Sequence, residues 1–560
     1  MTAAVSRFSG ALPAEDQDWV DRTLASLTSE ELVGQLFNLS TAADSREEVA
    51  GLLRLQPGGF NRFPTRDLAA FRDATIAALE GSRVPPVFSG DIEGGTISYP
   101  FATPIPNLMG LGAIDDLATT EAIARLVARE SRALGYDWSF GPVVDLNAEF
   151  RSAIVGTRSF GSDPAKVMAH ARAYAAAVQA EGLAACAKHW PGDGCDERDQ
   201  HLVTSVNPQS MDDWRSTFGR IYRAMIDDGI MSVMSAHIAL PAYIRERDPT
   251  AGRDAFAPAT LCRLLNEDLL RGELGFTGLI VSDATGMGGL TGWMSREQAV
   301  PAVIESGCDM FLFSRDPGRD FGFMLQGLRD GRLSERRLYE AVGRILAFKA
   351  RLGLHKRSIE ERMPSLDILA EKLQTDDSRG IARQAAGRSI TLVKDTQALL
   401  PLDPQRHRRV VLIVEEGFSF WDGAIDRNFA PFISALEQRG FDVRTYDPEA
   451  MPTAADTDLV LYLIGQEATA SASHIFLDFA RLHGGMRKAM SQFSQEIPTA
   501  LLSFGQPYYL FDAPHMTCAV NGYSAIADVQ IEMVRRLTGE AAFTGVSPVD
   551  PFCGKEQLKW

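Results

Sequence analysis

A chain of 560 residues is too long for a single hydrophobic core and calls for two large domains or three smaller ones. Its 45% apolar and 23% charged residues are those of an ordinary soluble globular protein, and a net charge of −17 argues against a nucleic-acid surface, which needs clustered Lys and Arg. Six cysteines, at 186, 195, 262, 308, 518 and 553, form no CxxC pair and are too sparse for a disulfide scaffold, so reduced thiols are expected.

The first eighteen residues hold no apolar run of signal-peptide length and carry Glu15, Asp16 and Asp18. No later segment offers about eighteen uninterrupted apolar residues, so the expectation is a cytoplasmic protein without a membrane span. The Asn38-Leu39-Ser40 match to a glycosylation acceptor then counts as chance.

Thr28-Ser29-Glu30-Glu31 reads as a capping box opening a helix to Leu36. Short apolar strands follow at 84–90, 138–144, 183–188, 230–236, 279–282 and 310–313, separated by helix-like segments such as 120–134 and 164–180. Alternation of this kind over some three hundred residues implies a parallel α/β fold. Residues 353–387 read as a charged linker followed by one helix. A second alternating region begins at 389–393, with strands at 410–414, 459–464, 499–503 and 518–520 and a helix at 525–537. It contains neither GxGxxG nor GxxxxGK[ST], so a nucleotide role has no support.

Polar groups close most of the N-terminal strands: Asp91, Asp145, Lys188-His189, His237 and Asp283. Any one of them could be a helix cap or a satisfied loop residue. Five together fit a (β/α)₈ barrel, whose active site gathers side chains at the C-terminal strand ends. The segment Lys188-His189-Trp190-Pro191-Gly192-Asp193-Gly194, followed by Asp199-Gln200-His201, concentrates two imidazoles, a cation and several carboxylates in one glycine-rich loop. Asp283, on a strand end with small residues after it, suits a nucleophile that must approach a carbon closely. His201, with Asp199 two residues upstream, suits an acid/base, because a carboxylate on one ring nitrogen leaves the other to exchange protons near neutrality. The methionines at 225, 231 and 234 read as core, and the histidines at 170, 355, 407, 474, 483 and 515 lack metal-ligand spacing.

On these residues the chain resembles glycoside hydrolase family 3 in its two-domain form. The resemblance rests on Asp91-Ile92-Glu93-Gly94-Gly95, Gly156-Thr157-Arg158-Ser159-Phe160-Gly161, the 188–201 segment, Met234-Ser235-Ala236-His237 and Gly275 to Asp283. Segments 389–402 and 539–549 resemble the ends of that family's second domain. The resemblance implies a TIM-like (β/α)₈ barrel over 1–352, a linker and helix over 353–388, and a smaller three-layer α/β sandwich over 389–560. It also implies Asp283 as nucleophile, His201 with Asp199 as acid/base, and Asp91, Arg158, Lys188 and His189 as ligands of the sugar hydroxyls. With the His dyad present, the second domain need not carry catalysis.

Two positions depart from the β-N-acetylglucosaminidase branch: Asp193 stands where a second His is usual, and Tyr99 where an Arg is usual. Both are counted with the substrate-binding positions. The 192–199 loop instead resembles actinobacterial members acting on β-glucosides and β-N-acetylglucosaminides, a group that includes phosphorylases. A neutral His201 would not repel a phosphate dianion as a carboxylate would, and Lys188 nearby would favour the anion. The expectation is therefore a retaining β-glycoside phosphorylase that releases a sugar 1-phosphate through a covalent glycosyl-enzyme. Hydrolysis is the second possibility and a non-catalytic sugar-binding protein a remote third. Inorganic phosphate is expected as co-substrate, with no metal and no other cofactor.

Overall fold

The computed structural model describes residues 11–560 apart from 42–44, 64, 96–98, 419–427, 471–472 and 492. Residues 1–10, on which part of the N-terminal expectation rests, lie outside the described residues.

The N-terminal region is built on short parallel strands. Phe311–Leu312, Phe37–Thr41, Gly59–Arg62, Val87–Gly90 and Trp138–Ser139 pair side by side in that order. Cys186–Trp190, Ser232–Ser235 and Leu279–Ser282 form a second parallel sheet. Single parallel bridges, Trp138 to Ala184 and Val281 to Met310, link the two sheets at both junctions. Amphipathic helices cover the outside: Leu117–Ala133 packs on Pro164–Ala180, and Ala14–Ser26 on Glu335–Arg351. The capping box is present, with the Glu31 amide donating to Thr28 Oγ1 at 3.3 Å and the Thr28 amide to Glu31 Oε2 at 2.9 Å.

Two strands, Phe37–Thr41 and Gly59–Arg62, are not evident from the sequence. Polar residues interrupt their apolar runs, and those residues meet inside the sheet. Asn38 Nδ2 donates to Ser89 Oγ at 2.8 Å, and Ser89 Oγ to Asn61 Oδ1 at 3.2 Å. Polar residues buried inside a sheet break the apolar run that marks a strand and so read locally as loop.

Residues 353–388 also differ from the expected linker with one helix. They form three helices, Ile359–Arg362, Leu366–Lys372 and Asp376–Ser389. The charges that suggested solvation are in part buried: Arg362 donates to Asp137 Oδ2 at 2.5 Å and to the Pro86 carbonyl at 2.8 Å.

The C-terminal region is a six-stranded sheet in the order Thr391–Asp395, Cys518–Asn521, Thr499–Ser503, Leu459–Ile464, Arg409–Glu415, Asp442–Thr445. All pairs are parallel except the first. Alternate residues face opposite cores: Val410, Leu412, Leu461 and Leu502 pack on one side, and Val411, Ile413, Tyr462 and Leu501 on the other. The edge strand Asp442–Thr445 escapes sequence reading because it is largely exposed and polar. No described helix is long and apolar enough to cross a membrane.

Candidate active site

The strand Leu279–Ser282 delivers Asp283. Its amide donates to the Ser235 carbonyl at 2.7 Å, and its Oδ1 accepts the Ala284 amide at 2.7 Å. The other oxygen, Oδ2, is buried without a hydrogen-bond partner. Burial raises the carboxyl, but His189, His237, His201 and the Ala284 amide outweigh it and hold Asp283 below the usual carboxylate range. The result is an ionised carboxylate with one oxygen committed to the backbone and one available.

His237 fixes the peptide that follows. It is wholly buried, and its ring spans Thr260 Oγ1 at 2.8 Å and the Ala284 carbonyl at 3.0 Å. Since a carbonyl only accepts, Nε2 carries the proton and Nδ1 accepts from the threonine. Burial lowers the ring's pKa.

His201 and Asp199 form the expected dyad. One carboxylate oxygen of Asp199 accepts both the His201 amide at 2.8 Å and Nδ1 at 2.7 Å. The Asp199 side chain is 1% exposed and that of His201 29%, so the anchoring carboxylate is buried while the ring is partly open to solvent, with Nε2 not engaged by Asp199. The loop carrying the dyad rests on the one that follows Asp283. Gly288 and Gly289 donate their amides to the His201 and Gln200 carbonyls at 2.7 and 3.1 Å. A Cβ on Gly288 would stand 2.1 Å from the Leu202 carbonyl oxygen, so only glycine permits this seat.

Close to Asp283, through His189, lies a network of compensated charges. Glu93 accepts Arg158 Nε at 2.7 Å and Nη2 at 2.8 Å, and Lys188 Nζ is 2.7 Å from both Glu93 Oε1 and Asp91 Oδ1. Burial would raise Glu93, but Arg158 and Lys188 hold its carboxyl well below the usual range. His189 is 2.7 Å from Asp145 Oδ2 through Nδ1 and 3.3 Å from Arg158 Nη2 through Nε2. Lys188 and His189 are consecutive, yet both reach this network. The register of their strand shifts between Ala187 and Trp190, so the regular alternation of side chains is broken there.

Of the sequence-expected residues, His201, held by Asp199, stands near enough to Asp283 to lower its carboxyl, and Asp91, Arg158, Lys188 and His189 form one hydrogen-bonded network. Asp193 is buried, donates its amide to Asp145 at 2.9 Å and caps Gly194 with its own carboxylate. Burial, and then Asp145, push its carboxyl well up. Tyr99 is elsewhere: it is 4% exposed, its hydroxyl donates to the Arg62 carbonyl at 3.0 Å, and it packs on Tyr136. It packs behind Gly90, the residue before Asp91, with its hydroxyl committed to the backbone. Lys188 also differs from expectation. Its side chain is 1% exposed between two carboxylates, so its charge is already spent and cannot draw in an anion.

From the sequence, Asp145 and His237 read only as strand-end polar groups and Glu93 only as part of a motif, with no partner assigned to any of them. Each acts through a partner 44 or more residues away: Arg158, His189 and Ala284 respectively. Among the described residues no group of three or more His, Cys, Asp or Glu could hold a metal ion.

This geometry has relatives. Residues 27–348 match the glycosyl hydrolase family 3 N-terminal domain. The chain belongs to glycosyl hydrolase family 3. It is 41% identical over 552 residues to a β-N-acetylglucosaminidase/β-glucosidase of Cellulomonas fimi, covering 96% of each chain. Among solved structures it superposes on the β-glucoside phosphorylase BglX with a TM-score of 0.88 at 33% identity, covering 98% of both chains. A family 3 β-N-acetylglucosaminidase from Paenibacillus sp. str. FPU-7 shares the fold, with a TM-score of 0.80 at 24% identity over 94% of this chain and 99% of that one. The chain is thus a family 3 enzyme with an α/β fold.

Proposed function

We propose that this enzyme cleaves β-glucosides and β-N-acetylglucosaminides with retention of configuration, and that phosphate is its preferred acceptor. The observation carrying the proposal is the pairing of an ionised, half-free Asp283 with a dyad whose proton carrier is an imidazole. Asp283 Oδ2 attacks the anomeric carbon as His201 Nε2 gives its proton to the departing oxygen. The acceptor then attacks the same carbon, the Asp283 ester bond breaks, and His201 takes up the acceptor's proton where it has one. Asp91, 22% exposed and oriented by Lys188, receives sugar hydroxyls, while Arg158 and His189 are held ready by Glu93 and Asp145.

Phosphate is favoured because the dyad is neutral once His201 has donated, apart from the shielded Asp199, so a dianion meets less repulsion than beside a carboxylate acid/base. Similarity to a β-glucoside phosphorylase supports this choice, and similarity to the Cellulomonas fimi enzyme supports the dual sugar range. A cytoplasmic setting would supply the phosphate. We read the parallel strands as a TIM-like (β/α)₈ barrel over 1–352, joined through 353–388 to a three-layer sandwich over 389–560. Water as acceptor is the second reading, since the same imidazole can activate it.

The test is turnover of 4-nitrophenyl β-glucoside and its β-GlcNAc counterpart with and without millimolar phosphate, identifying the sugar product. A sugar 1-phosphate formed at a rate that rises with phosphate establishes phosphorolysis. Free sugar at a phosphate-independent rate establishes the hydrolase.

A further inference from the structure

The C-terminal region meets the N-terminal one at the backbone of the sugar-holding network. The strand Leu459–Ile464 ends in Gly465-Gln466-Glu467, and Glu467 is 3% exposed. Its Oε2 accepts Asn107 Nδ2 at 3.1 Å, and its Oε1 accepts the Ala525 amide at 3.1 Å. A Cβ on Gly95, whose φ is +58°, would stand 2.2 Å from that Oε2, so the carboxylate lies directly on the Gly95 backbone. The next two residues grip a second segment: the Ala468 amide donates to Thr157 Oγ1 at 3.0 Å and the Thr469 amide to the Ala153 carbonyl at 2.9 Å.

Residues 467–469 thus touch both chain segments that supply the Arg158–Glu93 pair, two residues from Glu93 and one from Arg158. Gly94 and Gly95 both have positive φ, and glycine backbone is soft unless held from outside. Asn107, the other partner of Glu467, is tied to the Tyr523 carbonyl at 2.6 Å and caps the helix Leu108–Ile114.

We propose that Glu467 is a positioning residue: with Ala468 and Thr469 it staples the Glu93 and Arg158 segments together and so sets the shape of the sugar subsite. Glu467 itself does not touch the sugar. Given the β-glycosidase function proposed above, this assigns the C-terminal region a part in substrate binding without a part in proton transfer.

Glu467→Ala is expected to raise both KM for the aryl β-glycosides and Kd for free glucose or GlcNAc, measured by calorimetry, by about tenfold or more. The pH profile set by the His201 dyad should keep its shape, and Glu467→Gln should recover most of the loss. Gly95→Ala attacks the same contact from the other side. In the wild-type background it should raise Kd, but added to Glu467→Ala it should cost less than the sum, because the methyl then has room. If Glu467→Ala does not fold, Gly95→Ala alone carries the test: a raised Kd with the pH profile unchanged supports the staple, and an unchanged Kd overturns it.

Unchanged KM and Kd, with loss confined to kcat or melting temperature, would make Glu467 an ordinary packing residue and overturn the proposal. Because Kd is read without turnover, a protein that binds sugar but cleaves neither glycoside would defeat the proposed activity while leaving the staple to be judged on its own.

Discussion

At the scale of single residues the site separates one working oxygen from many held ones. Asp283 Oδ2 is buried and unpartnered, whereas Glu93, Asp145 and Asp199 each accept at least two hydrogen bonds. Asp283→Asn should therefore lower turnover by about 10³-fold or more, with calorimetric binding of the free sugar retained. Unchanged turnover would remove Asp283 from the mechanism. Asp283 and the Asp199–His201 pair, proposed above as nucleophile and acid/base, stand out in the sequence because each is a local pattern, a strand end or an Asp-x-His. The residues holding the subsite were not, since Glu93 meets Arg158 across 65 positions and Asp145 meets His189 across 44. Tyr99, which stands where the family usually has an Arg, is buried against Tyr136 with its hydroxyl on the Arg62 carbonyl, a setting that sequence position alone did not reveal.

Among elements, the decisive contact is between two loops. The segment 199–204 lies on 284–291 through backbone hydrogen bonds, and glycine at 288 makes the approach possible. Gly288→Ala should lift the dyad loop and impair proton donation. Glycosides with poor leaving groups should slow by about 10- to 100-fold, while 2,4-dinitrophenyl glycosides, which need no proton, should slow little. An equal loss on both would mean general disruption instead.

The helices of 353–388 anchor at the opposite end of the strands. Asp137 there faces Arg362 at 2.5 Å, Arg132 at 3.3 Å and Arg357 at 3.6 Å, all with little exposure. Asp137→Ala would leave three cations uncompensated and should cost about 3–5 kcal/mol, read as a lower denaturation midpoint. Sequence composition gave the wrong picture of this segment because charge usually marks solvent, and here it marks buried pairing. Long periodic helices such as Pro164–Ala180, and strands with unbroken apolar runs such as Leu459–Ile464, were legible at close to their true bounds.

For the whole molecule, five histidines (170, 237, 407, 483 and 515) have their pKa lowered by burial, in both regions. The unfolded chain binds protons at about pH 6.5, where the folded one resists them. Stability is thus fully present above that pH and declines as pH falls toward the folded values. The melting temperature should drop between about pH 7 and 5.5, and a flat profile would show these rings to be more solvated than their burial implies. The sheet order of the C-terminal region could not be read from the sequence, because pairing is set by packing on two faces at once.

The mutual neutralisation of Arg158, Lys188, Asp91 and Glu93 bears on how each substrate arrives. A site whose charges are already matched exerts little long-range pull, so capture of an uncharged glycoside should be insensitive to ionic strength. Phosphate, if it is the acceptor as proposed, approaches a molecule of net charge −17 with Lys188 already paired to two carboxylates. Its kcat/KM should rise as salt shortens the screening length from about 30 Å at 0.01 M to about 8 Å at 0.15 M. Two co-substrates of one enzyme would then answer the same change of salt differently, one by arriving faster and the other not at all.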